Sequence, residues 1–128
     1  MHTTIESYMT RYPHSIDGGH TVRDARKHML LHGVRHLPVL RDGKLAGLLS
    51  ERDVAFAERA GAADRRIDDI LPDDTVYAVD LSTPMLEVAD VMALKRFGSA
   101  VVLEGGEVAG IFTTVDACRA LADTLRVR

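Results

Sequence analysis

The chain has 128 residues, 46% of them apolar and 27% charged, and a formal net charge of −3. That length supports one compact domain of ordinary size, and the composition is globular. No stretch approaches the roughly 18 apolar residues of a membrane span, the first residues carry no signal pattern, and basic and acidic residues are interspersed. A cytoplasmic protein that binds neither membrane nor nucleic acid is therefore expected.

Residues 4–10 read as a short helical or extended lead-in. His14, Ser15 and Ile16 form a brief strand candidate, stopped by Asp17-Gly18-Gly19. Thr21, with Asp24 three places on, has the form of a helix N-cap. The spacing predicts a helix over 22–32 with Val22, Ala25, Met29 and Leu30 inward, and Gly33 as its stop. Strands at 37–40 and 45–49 flank Asp42-Gly43, a strong tight-hairpin signal. Ser50 opens a second helix over 51–59, ended by Gly61. Residues 62–74 read as a linker with a short helix at 67–71.

The order then recurs. A strand is predicted at 76–79. Thr83-Pro84 starts a helix, with proline favoured in the first turn, and Val88, Val91, Met92 and Lys95 continue its pattern to a stop at Gly98. Strands at 100–103 and 108–112 flank Gly105-Gly106, and Thr113 begins the last helix. The recurrence keeps one offset (110 − 47 = 63), pairing Gly47 with Gly110, Ser50 with Thr113, Asp53 with Asp116, Ile16 with Val79 and Val39 with Val102. Residues 1–61 and 62–128 are therefore read as two copies of one unit. A hairpin covered by helices needs a second copy to close its open sheet face. The fold class expected is α/β, more narrowly α+β: two β-α-β-β-α repeats packed with pseudo-two-fold symmetry.

This order of elements, the run Gly33-Val34-Arg35-His36-Leu37-Pro38-Val39 and the run Gly47-Leu48-Leu49-Ser50-Glu51-Arg52-Asp53 resemble a cystathionine-β-synthase (CBS) domain. Two in tandem resemble a CBS pair, or Bateman module, from about Ile5 to Leu125. The resemblance implies a disc-like pair with two clefts between the repeats. In many such modules the clefts bind AMP, ADP, ATP, S-adenosylmethionine or related adenosyl ligands. It also implies homodimers formed through the helices, and a regulatory role toward an attached or partner protein. The two repeats use up this sequence, so a stand-alone sensor with an unknown effector is expected.

Ser50-x-x-Asp53 and Thr113-x-x-Asp116 carry two readings. The resemblance implies that they hold a ligand's ribose; a carboxylate accepts hydrogen bonds, and the two ribose hydroxyls donate them. The same pattern is also close to a capping box before a helix. Arg35 and His36 match a position that, by the resemblance, faces ligand phosphates, and Arg suits phosphate geometry. The second copy has Gly98 and Ser99 there, so the two sites should differ. Ile16, Val79, Pro38, Val39, Val101 and Val102 would line an apolar slot for a purine, or serve as core. Asp17 and Asp80 read as turn formers.

Cys118, the single cysteine, falls in a helical apolar pattern with Val115, Leu121, Ala122 and Leu125, and a buried inert thiol is expected. His28, His32 and His36 are spaced by four, but Gly33 interrupts them and no carboxylate or cysteine pattern completes a metal site. His2, His14 and His20 are scattered. No nucleophile elbow, GxGxxG or GxxxxGKS motif occurs, and Asp53 and Asp116 lack an acid–base partner, so no enzyme is expected. The expected function is a regulatory module that binds an adenine-nucleotide-type ligand and requires no cofactor. The alternative is a ligand-free dimerisation and protein-interaction module.

Overall fold

A computed structural model describes residues 4–71 and 76–126. In chain order the elements are a 3-10 turn (Ile5–Ser7), β1 (Thr10–Arg11), β2 (Ile16–Asp17), α1 (Val22–His32), β3 (His36–Arg41), β4 (Lys44–Ser50), α2 (Glu51–Arg59), α3 (Ile67–Ile70), β5 (Ala78–Asp80), α4 (Met85–Lys95), β6 (Ser99–Glu104), β7 (Glu107–Thr113) and α5 (Thr114–Arg126). Mixed strands and helices make this an α+β fold, as the repeat pattern predicts. The expected strand residues Val76 and Tyr77 precede β5, and the expected linker residues 72–74 lie outside the described residues.

Local chemistry explains most boundaries. Thr21 Oγ1 accepts from the Asp24 amide and Asp24 Oδ2 accepts from the Thr21 amide, each at 3.1 Å, so α1 starts on a full capping box. It ends where Gly33 takes φ 64°, a left-handed cap that needs no Cβ. Asp42 and Gly43 both have positive φ, 55° and 78°, as a two-residue hairpin turn with the strand's own twist requires. The last helix but one departs from expectation. Pro84, not Thr83, is the N-cap of α4; Thr83 Oγ1 instead accepts from the Asp80 amide at 3.2 Å. Its stop is Arg96, held at φ 61°, rather than Gly98.

The chain divides into two compact units, one made of His14–Val76 and the other of Met1–Pro13 with Tyr77–Arg128. In the first, β2 runs parallel to β3 and β3 antiparallel to β4. In the second the sheet order is β1-β7-β6-β5, with β5 parallel to β6. One core gathers Ile16, Val22, Met29, Leu37, Val39, Leu49 and Val54. The other gathers Val79, Val88, Met92, Ala100, Val102 and Phe112.

Each core also takes a residue from a lead-in segment that precedes the other repeat in sequence. Ile67, ahead of the second repeat, is fully buried in the first core; Ile5, ahead of the first repeat, is fully buried in the second. Glycines make room for these segments. A Cβ on Gly47 would come within 2.8 Å of Leu71 Cδ2, and one on Gly110 would collide with Met9 Sδ. Backbone bonds secure the docking: the Ile67 amide reaches the His20 carbonyl at 2.8 Å, and the Tyr12 amide reaches Ala109 at 2.9 Å. The compact units therefore do not follow the sequence division at residues 61 and 62.

Two apolar positions turn out differently from the periodicity. Leu30 is exposed, with Met29 alone reaching the core at the end of α1. Cys118 is exposed too, as are Val115, Leu121 and Leu125. The buried residues of α5 are Asp116 and Ala120, because the capping carboxylate at the helix start sets which side turns inward.

Two outcomes test this packing. Gly47→Val should lower unfolding stability by about 1–3 kcal/mol in denaturant titrations, since its side chain and Leu71 need one space. Arg96→Gly should raise stability by roughly 0.5–1 kcal/mol, and Gly33→Ala should lower it by about 1 kcal/mol, because only glycine holds the left-handed cap without strain.

Candidate functional site

The residues singled out by the repeat meet at the corner where a strand hands over to a helix. His36 opens β3 directly opposite Ser50, which closes β4, and α2 begins at the next residue. The Glu51 amide bonds the Arg35 carbonyl at 2.8 Å, tying the corner shut. Ser50 Oγ accepts from the Asp53 amide at 3.1 Å, and Asp53 Oδ2 accepts from the Ser50 amide at 2.9 Å. The capping box foreseen as the plainer reading is thus present. It engages only one carboxylate oxygen: among the described residues, Asp53 Oδ1 makes no hydrogen bond, and it remains available as a charged acceptor.

Two basic side chains flank this corner. The Arg35 guanidinium is exposed, with Nε 3.8 Å from Glu51 Oε2, too long for a strong ion pair. His36 is half-buried. Burial holds its pKa below the ordinary value of 6.5, Arg35 pushes the same way and Asp53 opposes both. At neutral pH the ring is therefore uncharged, and Arg35 supplies the positive charge at this end of β3.

The equivalent corner has the same backbone and different chemistry. Ser99 faces Thr113 across β6 and β7, and the Thr114 amide bonds the Gly98 carbonyl at 3.1 Å. Asp116 Oδ2 accepts from the Thr113 amide at 2.9 Å and from its hydroxyl at 3.1 Å. Its second oxygen, Oδ1, is taken by Arg119 Nη1 at 3.3 Å. Asp116 is buried, and both of its oxygens are engaged by its own helix and the strand end. Sequence reasoning missed Arg119. The signal was an aspartate and arginine three apart on one helix, with Phe56 at the matching place in the first copy (119 − 56 = 63).

The apolar candidates separate into two groups. Ile16 pairs with Val39 and Val79 with Val102, and all four belong to the cores. Pro38 and Val101 are buried as well, but strand alternation turns them to the opposite sheet face. Asp17 and Asp80 make turns, accepting from the Gly19 amide at 2.8 Å and the Ser82 amide at 2.9 Å. A recess of about 420 Å³ has Asp53 on its wall, with Arg52, Phe56, Ala57 and Ile70. A larger one of about 730 Å³ lies along α4 and α5, between Met85, Leu86, Ala117 and Leu121, and touches none of the polar candidates.

Comparison with known proteins agrees with the doubled unit. The family model for the CBS domain matches twice, at residues 5–59 and 67–123. An inosine-5′-monophosphate dehydrogenase of Korarchaeum cryptofilum is 33% identical over 112 residues; the match takes in 87% of this chain and 23% of that protein. The CBS domain pair of protein MJ0100, solved in complex with 5′-methylthioadenosine and S-adenosyl-L-methionine, superposes with a TM-score of 0.86 at 23% identity, covering 97% of this chain and 99% of that one. CBSX2, solved in complex with AMP, gives a TM-score of 0.81 at 22% identity, covering 94% and 97%. With both matches together spanning most of its length, this chain belongs to the CBS domain family, as two domains in tandem.

Proposed function

We propose that the protein is a regulatory module that binds an adenine nucleotide or adenosyl ligand at the strand-to-helix corners, and that the ligand modulates self-association or an effector protein. The observation that carries this reading is the open Oδ1 of Asp53 at the same corner as an exposed Arg35, a diol acceptor and a phosphate donor on one strand-to-helix junction. The ligands bound by two CBS pairs of similar fold, S-adenosylmethionine with 5′-methylthioadenosine and AMP, supply the ligand class. Ser50 and Asp53 would hold ribose, Arg35 and His36 a 5′-phosphate, and Pro38 a purine face. Thr113, Asp116 and Val101 would form the second, weaker position, since Arg119 competes there for the carboxylate. Ile16, Val39, Val79 and Val102 support both from the cores. Such a ligand shifts the module only by preferring one of its arrangements.

Calorimetry with AMP, ADP, ATP, 5′-methylthioadenosine and S-adenosylmethionine tests this. Asp53→Ala should weaken binding about ten- to hundredfold, as loss of a charged acceptor does. Arg35→Ala should weaken AMP while sparing 5′-methylthioadenosine, which lacks the phosphate. Absence of binding by every ligand below about millimolar, where specific recognition energy is nearly spent, contradicts the proposal.

The second reading is an interaction module that acts without ligand. It is favoured by the exposed Leu30, Leu31, Phe56, Leu86, Leu94, Leu121 and Leu125 along the helices, more apolar surface than a lone domain needs. A homodimer joined through these helices serves both readings. Leu121→Glu should then convert dimer to monomer in sedimentation, and a wild-type monomer at about 100 μM, where weak homodimers still form, excludes the dimer.

A further inference from the structure

We propose that His14, His28 and His32 form a proton-operated clasp that holds the segment entering β2 against α1. The His14 ring lies flat on His32, with centroids 3.6 Å apart and planes 12° from parallel. His28 sits one turn back along α1 at 5.8 Å, tilted by 56°. Nδ1 of His28 is buried with no hydrogen-bond partner, so an N–H at that atom would have no acceptor. A flat stack on His14 suits a neutral His32 ring and opposes its imidazolium.

Among the described residues, the surrounding charges are already paired elsewhere. His32 is exposed, yet desolvation by its neighbours lowers its pKa, and His14 and His28 add to that lowering; among the described residues no carboxylate acts against them. On α2, Glu58 and Glu51 are drawn to Arg26, at 2.7 and 3.7 Å. On β3, His36 answers to Asp53 and Arg35, and Arg41 is bound to Asp68 at 2.9 Å. Along α1, Asp24 is engaged by Thr21 and by His20 at 3.4 Å, and Lys27 is exposed. Stacked rings present faces rather than nitrogens to each other, and among the described residues no group of three or more His, Cys, Asp or Glu is set to hold a metal ion. The proton is the ligand this cluster answers to.

The clasp has a defined place in the chain. His14 is the first residue of the His14–Val76 unit, and two residues later Ile16 enters the β2–β3 pairing and the core. The sign follows from His32, whose folded pKa lies below its ordinary 6.5. The stabilisation is complete above that value and is lost as pH falls through the folded pKa. Acidification should therefore loosen the start of β2 before the rest of the sheet.

Histidine NMR titration and amide exchange of Gly18, whose N–H bonds the Leu40 carbonyl at 2.9 Å, test the clasp with a metal chelator present. His32 should titrate below 6.5 in the wild type and move up toward it in His14→Asn. Protection of Gly18 should fall as pH drops from about 7.5 to about 5.5, on the order of tenfold for each unit of pKa lowering, and this dependence should shrink in His14→Asn to the part that His36 contributes, the part removed by His36→Asn. His14 is exposed, so that variant leaves the core filled. A wild-type His32 titrating at or above 6.5, pH-independent protection, or a dependence undiminished in His14→Asn would each overturn the proposal.

Discussion

The arrangement depends on how one carboxylate is shared at the start of a helix. At both Asp53 and Asp116, Oδ2 turns back to the amide that ends the preceding strand, joining strand and helix at a fixed angle. That bond satisfies an amide that would otherwise be orphaned, and it leaves the other oxygen to be decided by the neighbourhood. Nothing among the described residues takes it at Asp53, whereas Arg119 takes it at Asp116. One backbone device, used twice, thus yields two corners of different chemistry.

Around these corners the two cores are completed by exchange. Ile5 and Ile67 each bury a whole side chain in the core that the other sequence repeat supplies. Burial of this kind contributes roughly 1.5–3 kcal/mol per residue, a large part of the stability of a small domain. Gly47 and Gly110 matter here for what they lack, since the notch left by the missing side chain is filled by Leu71 and Met9. The docked segments also carry polar fasteners: Asp68 with Arg41, and Tyr8 with Asp123 at 2.6 Å. The tyrosine hydrogen bond keeps the Asp123 carboxyl below its usual range.

Features set by neighbouring residues were legible in the sequence. The bounds of α1 and α2, the Asp42-Gly43 turn and both capping pairs follow from side chains acting within four positions of themselves. The corners were legible for the same reason, although the plain capping role and the ligand role share one pattern. Features set by distant packing were not. Arg96 takes a left-handed cap, its amide bonded to the Met92 carbonyl, although Gly98 stands two residues on. Val115, Cys118, Leu121 and Leu125 make a convincing inward stripe on paper, yet Asp116 and Ala120 face in. The exchange of Ile5 and Ile67 has no local signature. The His14–His32 stack joins residues 18 apart (32 − 14 = 18), which spacing along one helix cannot show.

An amide chemical-shift titration with S-adenosylmethionine and AMP tests the central claim most directly. The account predicts the largest shifts at the amides of Ser50, Glu51 and Asp53, with smaller ones at Thr113 and Asp116. Shifts confined to the apolar recess along α4 and α5, or no shifts at all, would contradict it.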